Sequence, residues 1–289
     1  MVKLYLLGYK ALNALEQLPS ECNSIIDAVV IGQDTNVRED YSTSIAEEAA
    51  KRGIKFLYRK EDIKKSSKYS ITIGWRWLIE NPNNLIVFHD SILPRYRGFN
   101  PLVTALINGD KEIGVTALKG EKLFDSGDII EQWTTSITYP IKIKKAIEIV
   151  SQGYANLLIT VIEKLHKGEE LVFRPQNTSK ITYSVWRDKK DYFIDWEWEA
   201  KRIKRFIDAV GFPYTGAQTR LEDGTIVKVL DAEIWSLDKI ENPGYGKVIL
   251  KEGKHPVVVA KGGMIKLTDL RNEENQEIQL PKKLRYRFI

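Results

Sequence analysis

The stretch LIVFHDSILPRYRGFNP, residues 85–101, decides how this chain is read. Its first four residues form an uninterrupted apolar run, the pattern of a strand buried on both faces. The run stops at His89. A loop follows, anchored by Pro94 and closed by Gly98, and Pro101 opens a helical stretch that reaches residue 107. In open parallel sheets, ligands bind just beyond the carboxyl ends of the strands. His89 is therefore placed for chemistry, although a strand-end histidine also serves structure.

Working outward, strand-like runs at residues 4–7, 25–31, 54–58 and 69–73 alternate with helical patterns at 11–18 and 42–52. Downstream come a strand at 113–118 and a long amphipathic helix at 143–166, stopped by Lys167 and Gly168. This alternation predicts an α/β fold, a Rossmann-like and mainly parallel sheet covered on both faces. Gly8 opens no GxGxxG pattern, so the first turn is not a dinucleotide fingerprint. Residues 172–182 carry Pro175, Asn177, Thr178 and Ser179 without periodicity and read as a linker. Beyond a helical pattern at 197–210, short strand-like runs sit at 216–220, 226–234, 246–251, 256–260 and 264–270. Glu222-Asp223-Gly224 and Lys261-Gly262-Gly263 are hairpin-type turns. We expect a catalytic domain over residues 1–170. A smaller, mostly antiparallel and barrel-like β domain is expected over 171–289.

Apolar residues make up 43% of the 289 and charged residues 29%, the balance of a globular protein. No run approaches the roughly 20 apolar residues that span a bilayer, and the N-terminus lacks the pattern of a signal peptide. Cys22 is the only cysteine, which excludes a disulfide framework and a cysteine-based metal site. These features point to a reducing cytoplasm. The net charge of +5 is a mild excess. It suits a phosphate-bearing ligand or weak RNA contact, and it serves solubility equally well.

A second polar loop, Phe124-Asp125-Ser126-Gly127-Asp128, follows the strand GVTAL and precedes Ile129-Ile130. Two acids around a glycine can aim a carboxylate at a nearby imidazole, favouring its protonated form and fixing its tautomer. The alternative use of Asp125 and Asp128 is in turn hydrogen bonds. His166, at a helix end, and His255, in a turn, read as structural, and the three histidines suggest no metal cluster.

HDSILPRYRG, then Asn100-Pro101, GVTAL and FDSGDII, together resemble the signature of the folate-dependent formyltransferases. That family includes methionyl-tRNA formyltransferase, the glycinamide ribonucleotide enzyme and the sugar N-formyltransferases. Its pattern is Asn-x-His-x-Ser-Leu-Leu-Pro, Gly-x-x-Pro, Gly-Val-Thr and Asp-x-Gly, in that order. Ile194-Asp195-Trp196 and Pro213-Tyr214-Thr215-Gly216 resemble the start of the family's C-terminal domain. The resemblance covers most of residues 1–230.

The resemblance implies N10-formyltetrahydrofolate as donor, a primary amine as acceptor, and no metal. It implies that His89 contacts the oxyanion or relays the amine proton, while Asp125 orients His89 and orders a water. Trp75, Arg76, Trp77 and Leu78, with Asp128, would line the folate pocket; Ser91, Arg97, Phe99 and Asn100 would contact the acceptor. One departure stands out. The family's asparagine two residues before the histidine falls on Val87 here, whose side chain donates no hydrogen bond. Loss of one oxyanion donor typically costs about 100- to 1000-fold in rate. Either another donor substitutes, a backbone N–H after His89 or Asn100, or the step is slower, or the activity has drifted. Asn83 and Asn84 sit ahead of the strand.

The acceptor we expect is a nucleotide-linked amino sugar of the kind used in surface polysaccharide biosynthesis. The segment after the second strand, residues 32–40, holds more acid than base, unlike the tRNA enzymes. Tyr96, Phe99, Trp75 and Trp77 are candidates to stack on a pyrimidine base. The alternative acceptor is methionyl-tRNA, favoured by the net charge and by the basic run Lys282-Lys283-Leu284-Arg285-Tyr286-Arg287. A third reading is a non-catalytic or repurposed member, for which Val87 speaks. The resemblance to the sugar enzymes also implies a homodimer.

Overall fold

The computed structural model describes every residue except 35, 36, 38, 63–66, 80–83, 282 and 284. Asn83 and parts of the 32–40 segment and of the basic run at 282–287 thus lie outside the described residues. The chain divides into two compact units. The first is Met1–Leu102, Glu112–Ile137 and Lys145–Val185, and the second is Val103–Lys111, Thr138–Lys144 and Trp186–Ile289.

In chain order the elements are β1 (Val2–Leu6), α1 (Gly8–Gln17), β2 (Ile26–Ile31), α2 (Ser42–Lys51), β3 (Phe56–Tyr58), β4 (Tyr69–Ile73) and β5 (Leu85–His89). Then come β6 (Arg97–Gly98), α3 (Pro101–Asn108), β7 (Glu112–Lys119), β8 (Ile129–Ser136), α4 (Ile143–His166) and β9 (Tyr183–Ser184). The rest are α5 (Ala200–Ala209), β10 (Ala217–Arg220), β11 (Ile226–Ser236), β12 (Val248–Glu252), β13 (His255–Ala260) and β14 (Gly263–Arg271).

Among the described residues, the first unit is built on a seven-stranded sheet of order β3-β2-β1-β4-β5-β7-β8. β3 through β5 run parallel. β1 is buried along its whole length, as an apolar strand at the centre of a two-faced sheet must be. α1 begins at Gly8, earlier than the apolar pattern places it. Gly8 adopts φ +78°, a conformation open to glycine, and so turns the strand straight into the helix. β7 pairs antiparallel with β5, and β8 antiparallel with β7. Residues 120–128 are too few for a crossover helix, so β7 and β8 form a hairpin. The apolar pair Ile129-Ile130 is only the start of β8, which continues to Ser136.

The reading of residues 172–182 as a linker needs correction. Ile129 and Arg174 exchange two backbone hydrogen bonds of 2.8 Å each, β9 runs parallel to β6, and Gln176 is buried. The segment is a strap on the first unit. It is held by backbone bonds and by polar side chains such as Gln176 and Asn177, neither of which makes a hydrophobic period.

The second unit carries a five-stranded antiparallel sheet of order β10-β11-β14-β13-β12. The last residues join its two edges. Arg220 and Ile289 exchange backbone hydrogen bonds at the β10 edge, and Val248 N–H donates to the Tyr286 carbonyl (3.0 Å) beside β12. Covering both edges satisfies groups that would otherwise template further strands, and it gives the unit its barrel-like closure. Phe288 lies inside, stacked on Trp196 with centroids 5.9 Å apart.

Phe288→Ala is expected to destabilise the protein by about 3–5 kcal/mol, read as a lower urea midpoint.

Candidate active site

His89 is the last residue of β5 and only 7% exposed. Its Nε2 lies 2.8 Å from the Tyr96 carbonyl oxygen. A carbonyl only accepts, so Nε2 carries the proton and Nδ1 is the nitrogen left for chemistry. Nδ1 faces Asp125 Oδ2 at 3.5 Å. The Tyr96 carbonyl therefore fixes the tautomer, and Asp125 is placed to face a proton arriving at Nδ1.

Asp125 is held from several sides. Gly98 N–H donates to its Oδ2 at 2.8 Å, and its carbonyl accepts from Gln176 Nε2 at 2.8 Å. Its φ is +52°, and that of Tyr96 is +61°. Left-handed backbone at such residues costs about 1–3 kcal/mol each and persists only where the surroundings enforce it. Two glycines permit the close approach. A Cβ on Gly98 would sit 2.5 Å from the Ser184 carbonyl oxygen, and one on Gly127 would sit 1.8 Å from that of Lys119.

Ser91 and Arg97 turn inward. The buried Ser91 hydroxyl donates to the Arg95 carbonyl at 2.8 Å. Buried Arg97 donates through Nε and Nη2 to Gln176 Oε1, at 3.1 and 2.8 Å. Both groups brace the loop after β5. Phe99 remains 44% exposed and meets Phe124 at 5.5 Å. Asn100 stands at φ +51°, just ahead of α3. Tyr96, one of the stacking candidates, is buried, with the Arg95 guanidinium 4.7 Å from its ring centroid.

Trp75, Arg76, Trp77 and Leu78 form a second cluster, just past the carboxyl end of β4. Trp75 meets Tyr5 and Trp77 edge-on, at 5.2 and 4.9 Å. The Arg59 guanidinium lies 4.5 Å over the Trp77 ring, Arg76 pairs with Asp34, and Leu78 is 90% exposed. The buried Trp75 Nε1 has no hydrogen-bond partner among the described residues. The Asp128 backbone carbonyl accepts from Lys119 N–H at 2.9 Å, closing the hairpin beside Asp125.

Val87 packs against Leu93, Leu118 and Ile129, so its position faces an apolar cluster. Asn84 spends its amide on the Lys68 carbonyl. Three participants escaped the sequence reading. The Tyr96 carbonyl leaves no side-chain signal. Gln176 sits in a segment without period. Thr116, opposite His89 in β7, did leave one, a hydroxyl inside an apolar strand. It donates to the Ser91 carbonyl at 2.7 Å and accepts from Leu93 N–H and Gln132 Nε2.

On the far side of His89, Asp90 accepts from Lys10 Nζ and from the Tyr154 hydroxyl. Burial pushes the Asp90 carboxyl up, but the Lys10 charge and these hydrogen bonds outweigh it and hold the group below the ordinary carboxylate range. Burial, then the Asp90 charge, drive the Tyr154 hydroxyl well above its usual value. Among the described residues, no cluster of three or more His, Cys, Asp or Glu side chains is placed to hold a metal ion. Nor is any helix long and apolar enough to cross a membrane.

Comparison with known proteins gives family matches along most of the chain. A model for "Formyl transferase" matches residues 60–162, and one for "Formyl transferase, C-terminal domain" matches residues 187–285. The methionyl-tRNA formyltransferase of Fusobacterium nucleatum is 31% identical over 67% of this chain and 62% of its own length. That of Halalkalibacterium halodurans is 34% identical over 67% of this chain and 60% of its own. The chain thus matches about 60% of the length of these relatives. Among solved structures, the N-formyltransferase from Helicobacter canadensis, in complex with folinic acid and dTDP-3-aminofucose, superposes with a TM-score of 0.68. It is 18% identical, over 92% of this chain and 98% of that one. WlaRD, a sugar 3N-formyl transferase, gives 0.64 at 17% identity, over 92% and 96%. These two likenesses concern the fold.

Lys10→Met leaves Asp90 buried without its counter-ion and is expected to cost about 3–5 kcal/mol at neutral pH. A depressed carboxyl contributes stability above its unfolded value and loses it as pH falls through the folded one. The gap between native and variant melting temperatures is therefore expected to shrink on acidification below about pH 4.

Proposed function

Because the chain belongs to the formyl transferase family, we propose that it moves a formyl group from N10-formyltetrahydrofolate to the primary amine of a nucleotide-linked amino sugar. The observation that carries the chemistry is the His89 ring, with Nε2–H given to Tyr96 and Nδ1 3.5 Å from Asp125 Oδ2. In this reading, the acceptor amine attacks the formyl carbon and the carbonyl electron pair moves onto oxygen. Nδ1 takes the proton that the amine loses, and the Asp125 carboxylate stabilises the charged ring. The tetrahedral adduct collapses, the bond to N10 breaks, and the proton passes from Nδ1 to that nitrogen. The protonated Nδ1 also donates to the oxyanion, a task that Val87 leaves unfilled.

We assign the folate to the cluster of Trp75, Arg76, Trp77 and Leu78, together with Asp128 of the hairpin loop. The Trp75 N–H, without a partner among the described residues, supports this, since it is a donor suited to a ring nitrogen or carbonyl. We assign the acceptor to the side of Phe99 and Asn100, with Ser91 and Arg97 bracing their loop from within. The segment after β2 supports a sugar nucleotide over a polyanion. Asp40 accepts there from the N–H groups of Asp34 and Ser42, and Asp34 binds Arg76. Its acids organise the described part of the loop. A second reading, methionyl-tRNA as acceptor, is favoured by the relatives above 30% identity.

With N10-formyltetrahydrofolate and a panel of dTDP- and UDP-linked amino sugars, one product heavier by a formyl group is expected in mass spectra. Formylation of charged initiator tRNA alone would overturn the sugar assignment. No turnover with any amine, together with no folate binding, would leave a repurposed member. His89→Ala is expected to lower kcat by about 100- to 10,000-fold while folate binding is kept. Near-normal turnover would remove His89 from the centre.

A further inference from the structure

Gln176 uses every hydrogen-bonding direction its amide has. Its Nε2 donates to the carbonyls of Asp125 (2.8 Å) and Gly127 (2.7 Å), and its Oε1 accepts from Arg97 Nε (3.1 Å) and Nη2 (2.8 Å). Two donors and two lone pairs are the full capacity of the group. The side chain is 9% exposed, in a strap with no counterpart in the periodic part of the chain.

What it joins matters more than how many bonds it makes. Asp125 and Gly127 belong to the hairpin loop that presents the carboxylate. Arg97 belongs to the loop after β5, between Tyr96, whose carbonyl holds His89 Nε2, and Gly98, whose N–H holds Asp125 Oδ2. One amide therefore grips both halves of the His89–Asp125 unit from behind. It also holds the carbonyl of a residue whose backbone is left-handed, at φ +52°.

We infer that Gln176 is a positioning residue: it fixes the Asp125 loop against the Arg97 loop, and so sets the 3.5 Å separation of His89 Nδ1 and Asp125 Oδ2. The inference rests on the proposed formyl transfer for its kinetic consequence, but its geometric content stands apart from it. A glutamate at this position keeps the length and still accepts from Arg97. It cannot donate, and it sets a carboxylate against two carbonyl oxygens. A methionine keeps the shape and removes all four bonds.

The test compares native protein, Gln176→Glu and Gln176→Met, each measured well below its melting temperature. Both variants are expected to lower kcat by about 100-fold, as misplacement of a catalytic group by about 1 Å does. KM for the folate is expected to change far less than kcat, since of the folate cluster only Asp128 adjoins the loosened loop, and the pH–rate profile is expected to shift. The nitrogen and proton resonances of the His89 ring are expected to move in both variants. If the native protein turns over and both variants keep kcat within about threefold, Gln176 is only structural and the inference falls, while the transfer reading stands. If the native protein turns over no amine, the transfer reading falls, and the ring resonances decide: unchanged signals overturn the inference, and shifted signals uphold it. If Gln176→Glu does not fold, Gln176→Met carries the same comparison without a new charge.

Discussion

One hydrogen bond, from Gly98 N–H to Asp125 Oδ2, ties together the two loops that make this site. A bond from a backbone donor to a carboxylate is among the stronger kinds in proteins. It forms only because Gly98 has no Cβ to strike the Ser184 carbonyl, and because Gly127 lets the hairpin loop press on Lys119. The left-handed turns at Tyr96 and Asp125 are the conformational cost of the same approach. The Tyr96 carbonyl can then reach His89 Nε2, and Nδ1 is left turned to the carboxylate. The tautomer of the ring thus follows from the path of the main chain.

β5 separates chemistry from bracing by its two-residue alternation. Val87 and His89 share one face, where Val87 packs with Leu93, Leu118 and Ile129. Phe88 takes the other and stacks on Tyr154 of α4, with centroids 6.1 Å apart. Just past the strand, Asp90 binds Lys10 of α1 and the same Tyr154. A buried ion pair of this kind adds little net stability, but losing either partner is costly. Its position beside His89 makes it an anchor for the end of the strand. It ties down the helices that cover one face of the sheet while the opposite face stays committed to the ring.

Burial of Tyr96 narrows the set of side chains that can meet a planar ligand. Of the aromatic residues near the site, Phe99 is exposed beside Asp125, and Trp77 lies under the Arg59 guanidinium just past β4. On the proposed reading, these belong to acceptor and donor respectively. Trp75 is committed on its edges to Tyr5 and Trp77, and among the described residues its N–H has no partner. On the proposed reading, an indole held in this way is a preorganised donor to the folate, which lowers the cost of binding.

The sequence by itself determined the elements and their order. Apolar-rich runs mark β1, β2 and β5, the helical period marks α4 and α5, and the glycine turns mark the hairpins of the second unit. It also determined where His89 and Asp125 stand, the one ending an apolar run and the other in a polar loop between two strands. Only the tertiary structure decided that β7 reverses direction against β5, that residues 172–182 form a strap, and that Ser91 and Arg97 face inward. It alone decided the tautomer of His89 and the place of Gln176. The physical reason is nearly common to these. All but Arg97, which meets the Gln176 side chain, depend on a backbone carbonyl or N–H, and every residue but proline carries both, so their partners leave no trace in the order of side chains.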